Sequence, residues 1–192
     1  GTGDLGNDGA HQIDIGRWIL EKTAPQRVSG MGKKYFFDDD QQTPDTMNLT
    51  YDYGDKALIW EMRIWTPYPM DNIDNGVAVY GTDAVMHIGD WNRAWGYRIF
   101  DKAGKLVEES QEGAAEFHMR NFVDCVISRS RPNCDVEDGH LSAAHCHLGN
   151  ICARTGRNLS YDGASETITG DPEAQALTRR KYRNHWGTPK GA

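Results

Sequence analysis

Apolar and polar positions change period twice along the chain, and these changes divide it into a helix, a run of strands and then more helices. Residues near 8–22 carry Ile15, Trp18 and Ile19 at helical spacing, which predicts a helix that stops before Pro25. Residues 26–37 read as extended, followed by a turn at 38–45. Met47 to Tyr53 alternates strictly, with Met47, Leu49, Tyr51 and Tyr53 on one side. Ala57 to Trp65 does the same through Leu58, Trp60, Met62 and Ile64, and Tyr53-Gly54-Asp55-Lys56 between them has hairpin chemistry. Past a proline-containing loop at 66–75, further strands are predicted at Val77–Tyr80, Ala84–Ile88, 93–100 and 104–108. A second hairpin turn is expected at Asp101–Lys105.

After residue 110 the period becomes helical. Residues 113–129 place Phe117, Phe122, Val123 and Val126 on an apolar stripe that Pro132 closes. Residues 136–155 suit a second helix, with Gly156 where a left-handed C-terminal cap belongs. Leu159–Tyr161 reads as a short extended piece. Residues 172–182 read as a last helix with Pro172 in its first turn.

Strands and helices are therefore segregated, which argues for an α+β fold: a large open, mostly antiparallel β-sheet with helices packed on one face. Tyr and Trp residues face both ways along 47–65, so the other sheet face is expected to be available for dimerisation. One domain is expected over residues 1–182, with 183–192 as an extended tail.

Composition narrows the function classes. The formal net charge of -7 disfavours a nucleic-acid partner, because an acidic surface repels phosphates. No apolar run approaches the roughly 18 residues that a membrane span requires. The chain does not begin with Met, which suggests a fragment, a processed product or an excised piece. The run Asp38-Asp39-Asp40 reads as a solvated turn rather than a cation site. Cys125, Cys134, Cys146 and Cys152 lack C-x-x-C spacing and read as free, buried thiols. The compartment, cytoplasmic or periplasmic, is left open.

Several segments carry a resemblance. Gly3-Asp4-Leu5-Gly6-Asn7-Asp8-Gly9-Ala10-His11-Gln12-Ile13-Asp14 resembles the motif G-G-x-x-x-D-x-G-x-H-x-x-D, which opens the C-terminal domain of the Gfo/Idh/MocA oxidoreductases. Tyr80-Gly81-Thr82-Asp83-Ala84 is similar to that family's F-x-G-T-E-G hairpin, and Arg120-Asn121-Phe122-Val123-Asp124-Cys125 to its R-N-F-L-D-C helix. Asp138-Gly139-His140, His147-Leu148-Gly149-Asn150-Ile151 and Gly170-Asp171-Pro172-Glu173-Ala174 match closing segments of one branch. The resemblance implies an NAD- or NADP-dependent enzyme of sugars or polyols. A full member has an N-terminal Rossmann domain, and its C-terminal sheet makes the subunit contacts of a homo-oligomer. Neither the glycine-rich dinucleotide loop nor the family's E-K-P lysine occurs in this sequence. The chain by itself is expected to bind no cofactor.

The resemblance puts His11 in the acid/base position and Asp14 at the trailing acid. Asn7 falls where many members have aspartate; an amide can hydrogen-bond a hydroxyl but cannot take its proton. His11 and Asp14 stand i, i+3, so the carboxylate is expected to orient the imidazole. His147 and Asn150 are candidates for lining the substrate cleft. His140, His145 and His147 are separated by five and two residues, which does not place them on one helical face as metal ligands, so no metal is expected. Trp60, Trp65, Trp91 and Trp95 read as core or interface residues, with stacking on a sugar ring as the alternative. Arg63 and Arg98 fall on predicted strands, where they meet either substrate oxygens or acids across a dimer sheet. His118 and His185 read as structural or surface residues. Two other functions remain open: a stand-alone protein that binds carbohydrate, or cleaves it without a cofactor or with a metal, and a purely structural dimerisation module.

Overall fold

The computed structural model describes residues 1–71, 73–91, 94–111 and 115–180. After a single 3-10 turn at Asp4–Gly6 comes helix α1 (Asp8–Leu20), ended by Glu21 in the left-handed conformation. Strands β1 (Arg27–Lys33), β2 (Thr46–Asp52) and β3 (Ala57–Arg63) follow. The turn at 53–56 closes with Tyr53 N–H donating to the Lys56 carbonyl at 3.0 Å, as the sequence predicts. Strands β4 (Gly76–Tyr80), β5 (Ala84–Trp91), β6 (Ala94–Asp101) and β7 (Leu106–Ser110) form a meander. Helices α2 (Ala115–Ser128) and α3 (Val136–Thr155) come next. Asp135 caps α3 by accepting from the Glu137 N–H, and Gly156 ends it at φ 65°, a conformation that favours a residue without Cβ. Strands β8 (Leu159–Asp162) and β9 (Thr167–Thr169) and the short helix α4 (Pro172–Ala176) complete the described chain.

The architecture is α+β with antiparallel strands, as expected. The strands divide into two hydrogen-bonded sheets, one ordered β3-β2-β1-β8-β9 and the other β4-β5-β6-β7. Alternation in β2 decides where the core lies. Met47, Leu49 and Tyr51 are buried against α1 and α3, while their neighbours face away. Leu5, Ile13, Trp60, Met62, Leu148, Ile151 and Cys152 complete this core. It belongs to the five-stranded sheet, whose helices α1 and α3 pack on each other and on β3 and β1.

The structure departs from the sequence reading in several places. Trp18, assigned to the packed stripe of α1, is 78 % exposed. The buried side of α1 is instead Gly9, Gln12, Ile13, Gly16 and Arg17. Two glycines and two polar residues hide this face from a hydrophobicity pattern. The stripe of α2 is apolar as predicted, yet Phe117, Phe122, Val123 and Val126 are all exposed, because α2 makes no extensive contact with another element among the described residues. A short strand, β9, forms where a turn is expected, and α4 is shorter than the 172–182 span. Only Cys146 and Cys152 are buried thiols; Cys134 is exposed and Cys125 half-buried. The expected tail at 183–192, including His185, lies outside the described residues.

Candidate functional site on helix α1

The rotation of α1 about its own axis is set by a residue the sequence reading passed over. Arg17 is almost wholly buried and reaches across to α3. Its Nε donates to Ser142 Oγ at 3.1 Å, Nη1 to the Lys22 carbonyl at 2.7 Å, and Nη2 to the Asp138 carbonyl at 3.1 Å. Ser142 Oγ in turn donates to Asp14 Oδ1 at 2.6 Å, and Asp14 and Asp138 each stand 3.8 Å from Arg17 Nη2. A buried guanidinium is tolerable because its donors meet carbonyls, a hydroxyl and two carboxylates. The one available signal was a charged residue on the turn between apolar positions. Asp14, expected to orient His11, is committed to Ser142 and Arg17 instead.

With α1 clamped in this way, one stripe faces outward. At about 100° per residue, Asn7, His11 and Trp18 fall on a common line opposite the buried side. All three are exposed. Asn7 occupies the N-cap position but its side chain caps nothing, which leaves the amide unengaged by α1. Nothing among the described residues hydrogen-bonds the His11 imidazole, so it faces outward with both ring nitrogens available.

The histidines of α3 separate rather than cluster. His145 is buried, and its Nδ1 donates to the Leu141 carbonyl at 2.7 Å. That bond fixes the proton on Nδ1, so Nε2 accepts from the Tyr53 hydroxyl at 2.8 Å. Burial, helped by the nearby Arg17 charge and opposed by the Leu141 bond, lowers the His145 pKa to about 4. It is a neutral structural imidazole. His140 is exposed and pairs with Glu166 at 2.5 Å, a hydrogen bond that raises its pKa. His147 is exposed on α3. Asn150 Nδ2 donates to the Thr2 carbonyl at 2.9 Å, tying down the segment that leads into α1. No group of three or more His, Cys, Asp or Glu side chains converges among the described residues.

The tryptophans also sort themselves. Trp60 and Trp91 are buried, and Arg98 lies 4.2 Å over the Trp91 ring and 3.5 Å from Glu109. Trp65 and Trp95 are partly exposed, and Arg63 pairs with Glu61 on its own strand.

A second feature adjoins α1. The sheets part at their edge strands β3 and β4, and α1 touches both, bridging the gap from beneath. The result is a groove of about 810 Å³ between the two strand edges, bordered by Asp4, Asp8 and Gln12 of the segment entering and forming α1. That row stands about 100° around the helix from Asn7 and His11.

The described residues do not fit a dinucleotide. Every paired strand is antiparallel, whereas the Rossmann cradle is a parallel strand running through a glycine-rich turn into a helix.

Comparison with known proteins agrees with this architecture. Residues 99–188 match the Gfo/Idh/MocA family model described as "Oxidoreductase family, C-terminal alpha/beta domain". No curated relative matches the chain. Among solved structures, a protein from Desulfitobacterium hafniense described as an NADPH-dependent oxidoreductase superposes with a TM-score of 0.67 at 16 % identity, over 85 % of this chain and 49 % of that one. An oxidoreductase from Agrobacterium radiobacter, solved with NAD+, L-tartaric acid and magnesium, gives 0.58 at 14 %, over 79 % and 47 %. A UDP-N-acetylglucosamine 3-dehydrogenase from Acidithiobacillus ferrooxidans gives 0.56 at 13 %, over 76 % and 46 %. At these identities the likeness is one of fold. The chain spans about half the length of each of these proteins.

Proposed function

We propose, from the match of residues 99–188 to the C-terminal alpha/beta domain of the Gfo/Idh/MocA oxidoreductases, that this chain is such a domain and forms the substrate-binding half of an NAD(P)-dependent sugar or polyol oxidoreductase. A nicotinamide held by another domain would supply the hydride chemistry; this chain would supply a surface and a proton acceptor. The observation that carries the reading is the outward stripe of α1. Arg17 locks the helix so that Asn7 and His11 point away from the core, unengaged and accessible. An imidazole in that state takes a proton from a substrate hydroxyl as the alcohol is oxidised, and returns it in the reverse direction. Asn7 orients the same or a neighbouring hydroxyl by hydrogen bonding. Asp14 acts one step removed, by holding Arg17 and hence the pitch of His11. His147 is free to meet substrate from α3, whereas Asn150 does so only by releasing Thr2.

The test is made in the intact enzyme. His11→Ala is expected to lower kcat by roughly 10²–10⁴-fold, the usual worth of a general acid–base group, with the Kd for NAD(P)H unchanged. Undiminished kcat in a folded His11→Ala enzyme would remove the reading. We further propose that the chain forms a homo-oligomer through the face of the β4–β7 sheet. No helix packs extensively across β5, β6 and β7 among the described residues, which leaves that face for a partner.

A further inference from the structure

The groove between β3 and β4 has features that neither the core nor the His11 stripe accounts for. Gln12 and Trp60 are both more than nine-tenths buried and both line it. Gln12 Nε2 donates to Asn75 Oδ1 at 2.7 Å, yet among the described residues neither Gln12 Oε1 nor Trp60 Nε1 has a hydrogen-bond partner. One is an acceptor and the other a donor. Buried polar atoms are seldom left unpaired, because each has lost its bonds to water. A hydroxyl group, which both donates and accepts, complements this pair.

The charge on the walls is one-sided. Among the described residues, Asp4, Asp8, Glu61, Asp71 and Asp74 line the groove against one arginine, Arg63, which is already paired with Glu61, while Asp71 stands 3.9 Å from His87 Nε2. Burial, and then the neighbouring Asp8, raise the pKa of Asp4, as expected for carboxylates crowded into a confined space. The exposed rings of Tyr68 and Tyr80 also line the groove, and aromatic faces attract cations. The volume, about 810 Å³, falls inside the roughly 300–1,000 Å³ range of small-molecule sites.

We propose that this groove is a binding site for a small hydroxylated organic cation, such as an amino alcohol or amino sugar, and that it excludes anions. The ammonium lies among the carboxylates, and a hydroxyl meets Gln12 Oε1 and Trp60 Nε1. The site is distinct from the His11 stripe, so it stands or falls independently of the proposed oxidoreductase role.

The experiment uses the 192-residue chain, with 15N chemical shifts of the Trp60 indole and Gln12 side-chain amide as the readout. D-glucosamine, D-glucose and D-glucuronate serve as matched probes differing in charge. Glucosamine is expected to shift both signals, with an affinity roughly tenfold above that of glucose, and glucuronate to shift neither. Asp4→Asn/Asp8→Asn, which keeps the shape, is expected to erase most of the glucosamine advantage. Trp60→Phe, checked for an unchanged fold by circular dichroism, is expected to weaken glucosamine about tenfold, the worth of one buried hydrogen bond. The proposal is overturned if glucosamine leaves both signals in place, if glucuronate binds as well as glucosamine, or if the double variant keeps the full preference for the amine.

Discussion

Asp45 shows how one side chain can organise a loop. Its carboxylate is completely buried and accepts the backbone N–H groups of Tyr35, Phe36 and Phe37 at 2.8–3.1 Å, together with the Thr46 hydroxyl at 2.8 Å. Burial alone would raise its pKa; the converging donors outweigh burial and hold the carboxyl well below the ordinary range. The loop so fixed stacks Phe36 on Trp65 at 5.1 Å between ring centroids. Asp45→Asn is expected to cost about 2–3 kcal/mol in urea unfolding, because the amide turns one donor toward three others. Its near-ultraviolet circular dichroism is expected to lose the Trp65 contribution; an unchanged spectrum and midpoint would refute this account. Two residues also set separate acid windows. His145 has a folded pKa below its unfolded one, so the unfolded chain takes up the proton first. The stability it contributes is full above about pH 6.5 and is lost as the pH falls toward 4. Asp45, also depressed, contributes above about pH 4 and loses that contribution at lower pH. Melting temperature against pH is expected to fall in two stages. A variant such as His145→Gln flattens the upper one.

At the scale of elements, the meeting of α3 with the sheet depends on a missing side chain. A Cβ on Gly149 would come within 2.4 Å of the Tyr51 hydroxyl and within 2.8 Å of Leu49 and Leu5. The Tyr51 hydroxyl is itself held by the His145 carbonyl at 2.9 Å, so it has little freedom to retreat. Alanine favours a helix over glycine by about 1 kcal/mol, but the overpacking here is expected to exceed that gain. Gly149→Ala should be destabilised by about 1–3 kcal/mol, measured by denaturant midpoint. An increase in stability would mean that α3 stands further from β2 than described. Strands, hairpin turns and the α3 cap were legible because alternation, Gly-Asp turns and a capping glycine are local signals. The buried face of α1 was not, because Gln12 and Arg17 are buried for reasons supplied by β4, α3 and the groove, tens of residues away.

At the scale of the whole molecule, the five-stranded sheet has a helix-covered core, whereas among the described residues no helix packs extensively on β5, β6 and β7. The β4–β7 sheet and helix α2 leave Val107, Phe117, Phe122 and Ile127 exposed, a set of apolar side chains that a soluble surface seldom carries without a partner. If copies associate through this region, Phe117→Asp with Ile127→Asp should shift the mass in solution toward the monomer with little loss of melting temperature, since both side chains are exposed among the described residues. A monomeric parent chain at working concentration would exclude the homo-oligomer.

Periodicity and turn chemistry by themselves determined the element order, the antiparallel α+β class and the position of His11 on a helix, because backbone geometry couples each of these to residues a few places apart. Tertiary structure alone decided which way that helix turns. Arg17, Ser142, Asp14 and Asp138 come from two distant segments, and only their meeting sends His11 outward and draws Asp14 away from it. The division of the strands into two sheets, and the groove left between them, follow from how β3 and β4 come to lie on either side of α1. No pattern within a single strand records the partner it lacks.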